Sequence, residues 1–120
     1  MARVLAVDDS PSMRDMVVFT LTSAGHEVVE AGDGVAGLEL ARAQRFDLVL
    51  VDINMPRMDG LSLLRALRSL PDYRYLPLLM LTTEASSEKK QEGRAAGATG
   101  WIVKPFVPDQ LLATVSKVLG

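Results

Sequence analysis

Residues 47–52 read "DLVLVD": four consecutive apolar residues closed by an acid. A strand with one face in water alternates polar and apolar positions. An unbroken apolar run of this length is what a parallel strand shows when helices cover both of its faces. Working outward, comparable runs recur at "VLAV" (4–7), "HEVVEA" (26–31), "LPLLMLT" (76–82) and "GWIVK" (100–104). Only "HEVVEA" carries acids within a short run, and it reads as an edge strand.

Helical patterns fill the intervals. Ser10 is a good N-cap with Pro11 in the first turn, and Met13, Met16, Val17, Leu21 and Ala24 follow at helical spacing before Gly25 ends the helix. Asp33 can cap a second helix carrying Val35, Leu38 and Ala41. Gly60 opens a third with Leu61, Leu64 and Leu67, and Pro71 lies beyond its end. Ser86 or Ser87 starts a fourth that ends at Gly97. Pro108 starts a fifth with Leu111, Leu112, Val115 and Leu119. The result is five β/α units in succession. Right-handed crossovers then place helices on both faces of a parallel sheet, and ligands bind at the carboxyl ends of the strands.

Composition narrows the chemistry. The 120 residues suffice for one domain, and a 48% hydrophobic content is enough to cover a sheet on both faces. A net charge of −2 supplies no positive field for a polyanion, so nucleic acid is not expected as the main partner. There is no cysteine, which excludes disulfides and thiol chemistry, and the lone His26 cannot build a zinc site or a His-based triad. "MARVLAVDDS" reaches acids too early for a signal peptide, and no apolar run approaches the ~18 residues of a membrane span. A cytoplasmic protein without membrane insertion is expected.

The strand ends carry Asp8 and Asp9, Asp52, Thr82, and Lys104-Pro105. Taken singly, each is ordinary: an Asp after a strand caps or turns, a Thr suits a strand, a Lys is solvated. Together they describe a site. Carboxylates at the ends of neighbouring strands repel, and a hard divalent cation compensates them. Mg²⁺ binds through one or two carboxylates, keeps several waters and takes phosphate oxygens for the rest. A hydroxyl and a lysine would hold the remaining phosphoryl oxygens. Phosphoryl transfer asks the protein mainly for positioning and charge neutralisation, and an Asp can itself be the nucleophile.

A different phosphate site is also written in the chain. "AGDGVAG" (31–37) contains Gly32-x-Gly34-x-x-Gly37, the spacing of a dinucleotide-binding turn, with Asp52 twenty residues after Gly32. That reading leaves Asp8, Asp9, Thr82 and Lys104 unexplained, and it needs a central apolar strand where the polar "HEVVEA" stands. On the alternative reading, Gly32 and Gly34 shape the turn and Gly37 permits close packing on the sheet.

"AVDDSPSMR", "LVLVDINMPRMDG", "MLT" and "GWIVKPF" together resemble a response-regulator receiver domain, in order and over essentially the whole chain, with stand-alone chemotaxis receivers of the CheY type as the nearest likeness. The resemblance implies a flavodoxin-like, doubly wound five-stranded parallel sheet of order 2-1-3-4-5 with five helices, in a single receiver domain over 1–120 without an output domain. It implies that Asp52 accepts a phosphoryl group from the phosphohistidine of a CheA-like sensor histidine kinase. Mg²⁺ would sit on Asp9, Asp52 and the backbone carbonyl of Asn54, with Asp8 helping through water. Thr82 and Lys104 would take phosphoryl oxygens, a partner they lacked before, with Lys104-Pro105 a cis peptide. Asn54 and Glu84 occupy positions that tune water access in the family, and as polar residues they imply a short-lived phosphoryl group. Trp101 falls at the aromatic switch position, or else simply covers apolar surface beside the fifth helix. Lys89, Lys90 and Arg94 of the fourth helix, with Trp101, would form the output surface for a downstream protein target such as the flagellar motor switch. The fourth helix is the weakest by propensity, with Gly93 in its middle. A monomeric switch with only self-catalysed phosphorylation and dephosphorylation is expected. Rival readings are a phosphate-sink or other-pathway receiver, a small aspartyl-nucleophile phosphatase, the dinucleotide domain, and an output role without phosphorylation. The phosphatase would place a second acid two residues after its nucleophile, where Asn54 stands.

Overall fold

The computed structural model describes residues 2–53, 55, 58–83 and 86–120. Five strands form one sheet: β1 (Arg3–Val7), β2 (Glu27–Ala31), β3 (Leu48–Asp52), β4 (Leu78–Thr82) and β5 (Gly100–Val103). All neighbours pair in parallel, in the order β2-β1-β3-β4-β5. This is the flavodoxin-like arrangement the sequence predicts, and β2 is an edge strand as its polarity requires. The helices are α1 (Pro11–Ser23), α2 (Gly34–Ala43), α3 (Gly60–Ser69), α4 (Ser87–Ala96) and α5 (Pro108–Leu119), with a single 3₁₀ turn at Pro71–Tyr73.

The continuous apolar runs serve two cores because successive side chains point to opposite faces. Leu5, Val7, Val49, Val51, Leu78 and Met80 face α2, α3 and α4, packing with Ala41, Leu63, Leu64, Leu67 and Ala96. Val4, Ala6, Leu48, Leu50, Leu79, Leu81 and Ile102 face α1 and α5, packing with Val17, Leu21, Leu111 and Val115. Every residue of β3 is buried, from Leu48 to Asp52. The strand therefore runs through the middle of the sheet and delivers its terminal acid to the strand-end surface.

The local signals hold. The Ser10 hydroxyl accepts from Met13 N at 3.3 Å, the Asp33 carboxylate from Ala36 N at 2.9 Å, and Ser86 Oγ from Lys89 N at 3.2 Å. Each of these satisfies one orphan donor of a helix N-terminus. Asp59, which the sequence reading passed over, caps α3 in the same way through Ser62 N at 2.9 Å.

Three strands begin later than the runs that announce them, β3 by the single residue Asp47. The run at 76–82 enters the sheet only at Leu78, because the Leu76 carbonyl is turned aside to accept from Arg68 Nη1 at 2.6 Å. The run at 26–31 begins at Glu27, since His26 folds back so that its Nδ1 accepts from Ala2 N at 3.1 Å. Gly93 has a packing role besides its low helix propensity. A Cβ there would collide with the Sδ of buried Met80 and lie 2.8 Å from its Cε. The residue that weakens α4 by propensity is the one that lets α4 lie against β4.

No helix among the described residues is long and apolar enough to cross a membrane.

Candidate functional site

Sheet order brings the strand ends together. β1 pairs with β3, Val7 against Val51, so Asp8 and Asp9 emerge beside Asp52. β3 pairs with β4, Asp52 against Leu81, and Thr82 pairs with Val103 of β5 immediately before Lys104. Carboxylate oxygens of Asp8, Asp9 and Asp52 lie within 4.8 Å of one another. Asp8 and Asp52 are buried, 2% and 3% exposed, while Asp9 opens to solvent. Thr82, 1% exposed, lies beneath the same surface.

Lys104 reaches into this cluster. Its Nζ donates to Asp8 Oδ2 at 2.9 Å and lies 3.4 Å from Asp52 Oδ1. Its backbone N donates to the Thr82 carbonyl at 2.7 Å, and the Lys104–Pro105 peptide is cis, as the family resemblance implied. The expectation that Lys104 and Thr82 lack partners is corrected: Lys104 bridges two carboxylates, and Thr82 is also engaged. The ammonium thus offsets part of the repulsion among three acids that would otherwise fall to a cation alone.

The loops are held by the chain itself. Ser10 N donates to Asp8 Oδ1 at 2.9 Å, and Asp8 N donates to the Ala31 carbonyl at 3.1 Å. On the other side, a Cβ at Gly60 would run into the Asp52 carbonyl oxygen and stand 2.6 Å from Ile53 Cα. Glycine there allows α3 to start directly against the backbone that carries Asp52. The acid-to-glycine step "DG" of 59–60 is thus a cap followed by a close approach.

Carboxylates are hard oxygen donors, and three of them converging at this separation, one exposed, fit a small divalent cation such as Mg²⁺ that keeps part of its water shell.

Of the remaining residues singled out in the sequence, Trp101, Lys90 and Arg94 come together. Lys90 Nζ stands 5.0 Å and the Arg94 guanidinium 5.4 Å from the centroid of the half-buried Trp101 ring. Both are within cation–π range. Lys89 pairs instead with Glu92 at 3.2 Å. Asn54 and Glu84 lie outside the described residues. The glycine motif of 32–37 stands by the edge strand β2, and its parts serve packing. A Cβ at Gly37 would lie 2.8 Å from Val7 Cγ2, and one at Gly34 2.7 Å from the Met58 carbonyl oxygen.

A cleft of about 790 Å³ opens at the opposite end of the sheet, lined by residues such as His26, Asp47, Pro71 and Tyr75. None of the strand-end acids lines it, and strand-end geometry is the better guide to chemistry in a parallel sheet.

Sequence reasoning missed two arginines, Arg14 at the acidic end of the sheet and Arg68 at the other. Arg14 Nη1 donates to the Asp8 carbonyl at 2.7 Å. Arg68 donates to the carbonyls of Tyr73 at 2.7 Å and Leu76 at 2.6 Å and, through Nε, of Gly97 at 2.8 Å. Burial lowers the pKa of Arg68 from its ordinary value. A single arginine on an amphipathic helix looks like surface charge, and only the fold reveals which carbonyls surround it.

Residues 4–116 match the response regulator receiver domain family. This chain is a response-regulator receiver domain. As a receiver it superposes on the chemotaxis response regulator CheY4 of Vibrio cholerae with a TM-score of 0.96, at 55% identity over 98% of each chain. It is similar to the receiver domain of the Pseudomonas aeruginosa sensor histidine kinase PA1611, whose structure has a magnesium ion coordinated in the active site cleft (28% identity, 99% and 98% of the two chains, TM-score 0.92). It is 40% identical to the response regulator MprA of Mycobacterium leprae over 98% of this chain, and spans half the length of that protein.

Proposed function

We propose that this receiver is a phosphorylation-activated switch of a two-component system, with Asp52 as phosphoacceptor. The observation that carries the reading is the convergence of Asp8, Asp9 and Asp52 within 4.8 Å, with Lys104 Nζ on two of them. A carboxylate oxygen of Asp52 attacks the phosphorus of a phosphohistidine on a CheA-like sensor kinase. The P–N bond breaks and the imidazole leaves with the bonding electrons. Asp8, Asp9, Asp52 and the Asn54 carbonyl would hold Mg²⁺, which neutralises charge on the transferring group. The magnesium reported for the PA1611 receiver supports that assignment.

Phosphorylation adds about −1.5 to −2 charges and three strong acceptors at Asp52. Lys104 then exchanges its contact with the Asp52 carboxylate for phosphoryl oxygens, and the Thr82 hydroxyl donates to another. Both residues lie at the roots of the loops that lead into α4 and α5. The response leaves through α4, β5 and α5 to a protein target, with Lys89, Lys90, Arg94 and Trp101 on that surface. The 55% identity to CheY4 favours chemotaxis as the pathway, with the flagellar motor switch as the target class. A phosphate sink is the alternative. The protein acts as a cytoplasmic monomer, with no catalysis beyond forming and losing its own phosphoryl group. That group is short-lived, because polar Asn54 and Glu84 do not exclude water.

A sensor kinase carrying radiolabelled phosphohistidine tests the reading. Label should pass to the receiver in Mg²⁺, fail to pass in EDTA, and fail to reach Asp52→Asn under either condition. Label that stays on every chemotaxis-type kinase offered would overturn the proposed donor.

A further inference from the structure

The first glycine of the 32–37 motif has a neighbour unlike those of the other two. Gly34 and Gly37 face Met58 and Val7, whereas a Cβ at Gly32 would lie 3.4 Å from Nη1 of Arg14. Arg14 belongs to α1 and lies across the strand ends. Its Nη1 donates to the Asp8 carbonyl at 2.7 Å, and its Nε contacts Glu30 Oε1 of β2 at 3.4 Å. The side chain is 21% exposed, so the guanidinium is largely enclosed between the loop and the edge strand.

This contact falls on the turn that carries Asp9. Asp9 is the exposed member of the acidic cluster. No hydrogen bond or ion pair among the described residues holds its carboxylate. Its location follows from the backbone turn alone, and that turn is fixed at three points: Asp8 N on the Ala31 carbonyl, Ser10 N on Asp8 Oδ1, and Arg14 on the Asp8 carbonyl. The Asp8 carbonyl lies in the same rigid peptide plane as the Asp9 nitrogen. Holding one end of that plane orients the other.

We infer that Arg14 is a positioning residue for the divalent-cation site, holding the Asp8–Asp9 peptide so that the Asp9 carboxylate faces Asp52. The inference rests on the metal assignment made above. It has a sign that separates it from simple electrostatics. A cationic side chain near three carboxylates repels a metal ion, so on charge alone its removal would tighten binding. Positioning predicts the reverse.

The test is Mg²⁺ affinity by isothermal titration calorimetry on the unphosphorylated protein, with melting in EDTA recorded for each variant. Arg14→Lys keeps the charge and loses the planar fork. Arg14→Met loses both. Gly32→Val keeps Arg14 but adds branches beyond a Cβ that would already touch its Nη1 at 3.4 Å, crowding the guanidinium against the carbonyl it holds. All three should bind Mg²⁺ more weakly, on the order of tenfold, the lower end of what outer-shell partners contribute. Parent-like affinity in Arg14→Lys and Gly32→Val, with tighter binding by Arg14→Met, would overturn the inference and leave the metal assignment standing. A parent protein that takes up no Mg²⁺ would remove both.

Discussion

Asp52 ends a fully buried strand and shares its surroundings with Asp8, Asp9 and Lys104. Three like charges at this separation oppose folding, and one ammonium does not cancel them. Replacing Asp52 by Asn keeps the shape and removes one charge, while Lys104 retains Asp8 at 2.9 Å. In EDTA the variant should melt higher than the parent, by roughly 3–6 °C for each kcal/mol of relieved repulsion in a domain this size. A lower melting temperature in calorimetry would mean that the Lys104 contact outweighs the repulsion. Asp59 carries a second prediction at this scale. The hydrogen bond from Ser62 N lowers its pKa below the ordinary carboxylate value. A lowered folded-state value means that the stabilisation is present above the unfolded pKa and is lost as pH falls through the folded one. Asp59→Ala should therefore destabilise by about 1 kcal/mol at neutral pH. The gap to the parent should close as pH drops below about 4. Urea melts at pH 7 and pH 3 measure both ends.

Among the elements, α4 shows most clearly why propensity alone misleads. Gly93→Ala improves intrinsic helix propensity by about 1 kcal/mol. Here the added methyl would enter the volume of Met80, which is fully buried on β4. Overpacking of this kind costs about 1–3 kcal/mol, so the variant should melt lower than the parent. A gain in stability would show that α4 can lift from the sheet without cost. The same element shows what was legible beforehand. Its start at Ser86 or Ser87 and its stop at Gly97 were written in local chemistry, and the structure uses the Ser86 hydroxyl as cap and a left-handed Gly97 at φ +111°. The two-sided core followed from continuous apolar runs, and the strand order from the family resemblance. Contacts that join distant segments were not legible: Arg68 on the Leu76 carbonyl, Arg14 on Asp8, Gly93 against Met80. These have no period and no neighbouring signal in the chain, because they exist only once the layers pack. The candidate site was legible for the opposite reason. A parallel sheet gathers its strand ends, so acids, hydroxyl and lysine far apart in sequence were bound to meet wherever the strands did. Its internal pairing was not: the two carboxylates that Lys104 bridges become visible only in three dimensions.

Taken as a whole, the molecule is a rigid sheet with one chemically loaded end and a cationic, aromatic flank. β1, β3 and β4 fix the acids and Thr82. Lys104, on the segment between β5 and α5, links that cluster to the same strand that carries Trp101, whose ring Lys90 and Arg94 cover from α4. On the function proposed above, a change of charge at Asp52 would reach the flank through one lysine and a four-residue strand. We propose that this charge change is a phosphoryl group on Asp52, formed in the presence of Mg²⁺. Intact-protein mass spectrometry after incubation with acetyl phosphate tests it most directly. A mass increase of one phosphoryl group in Mg²⁺, absent in EDTA and absent in Asp52→Asn, is the predicted result. No increase in the parent protein, or an equal increase in Asp52→Asn, would contradict it.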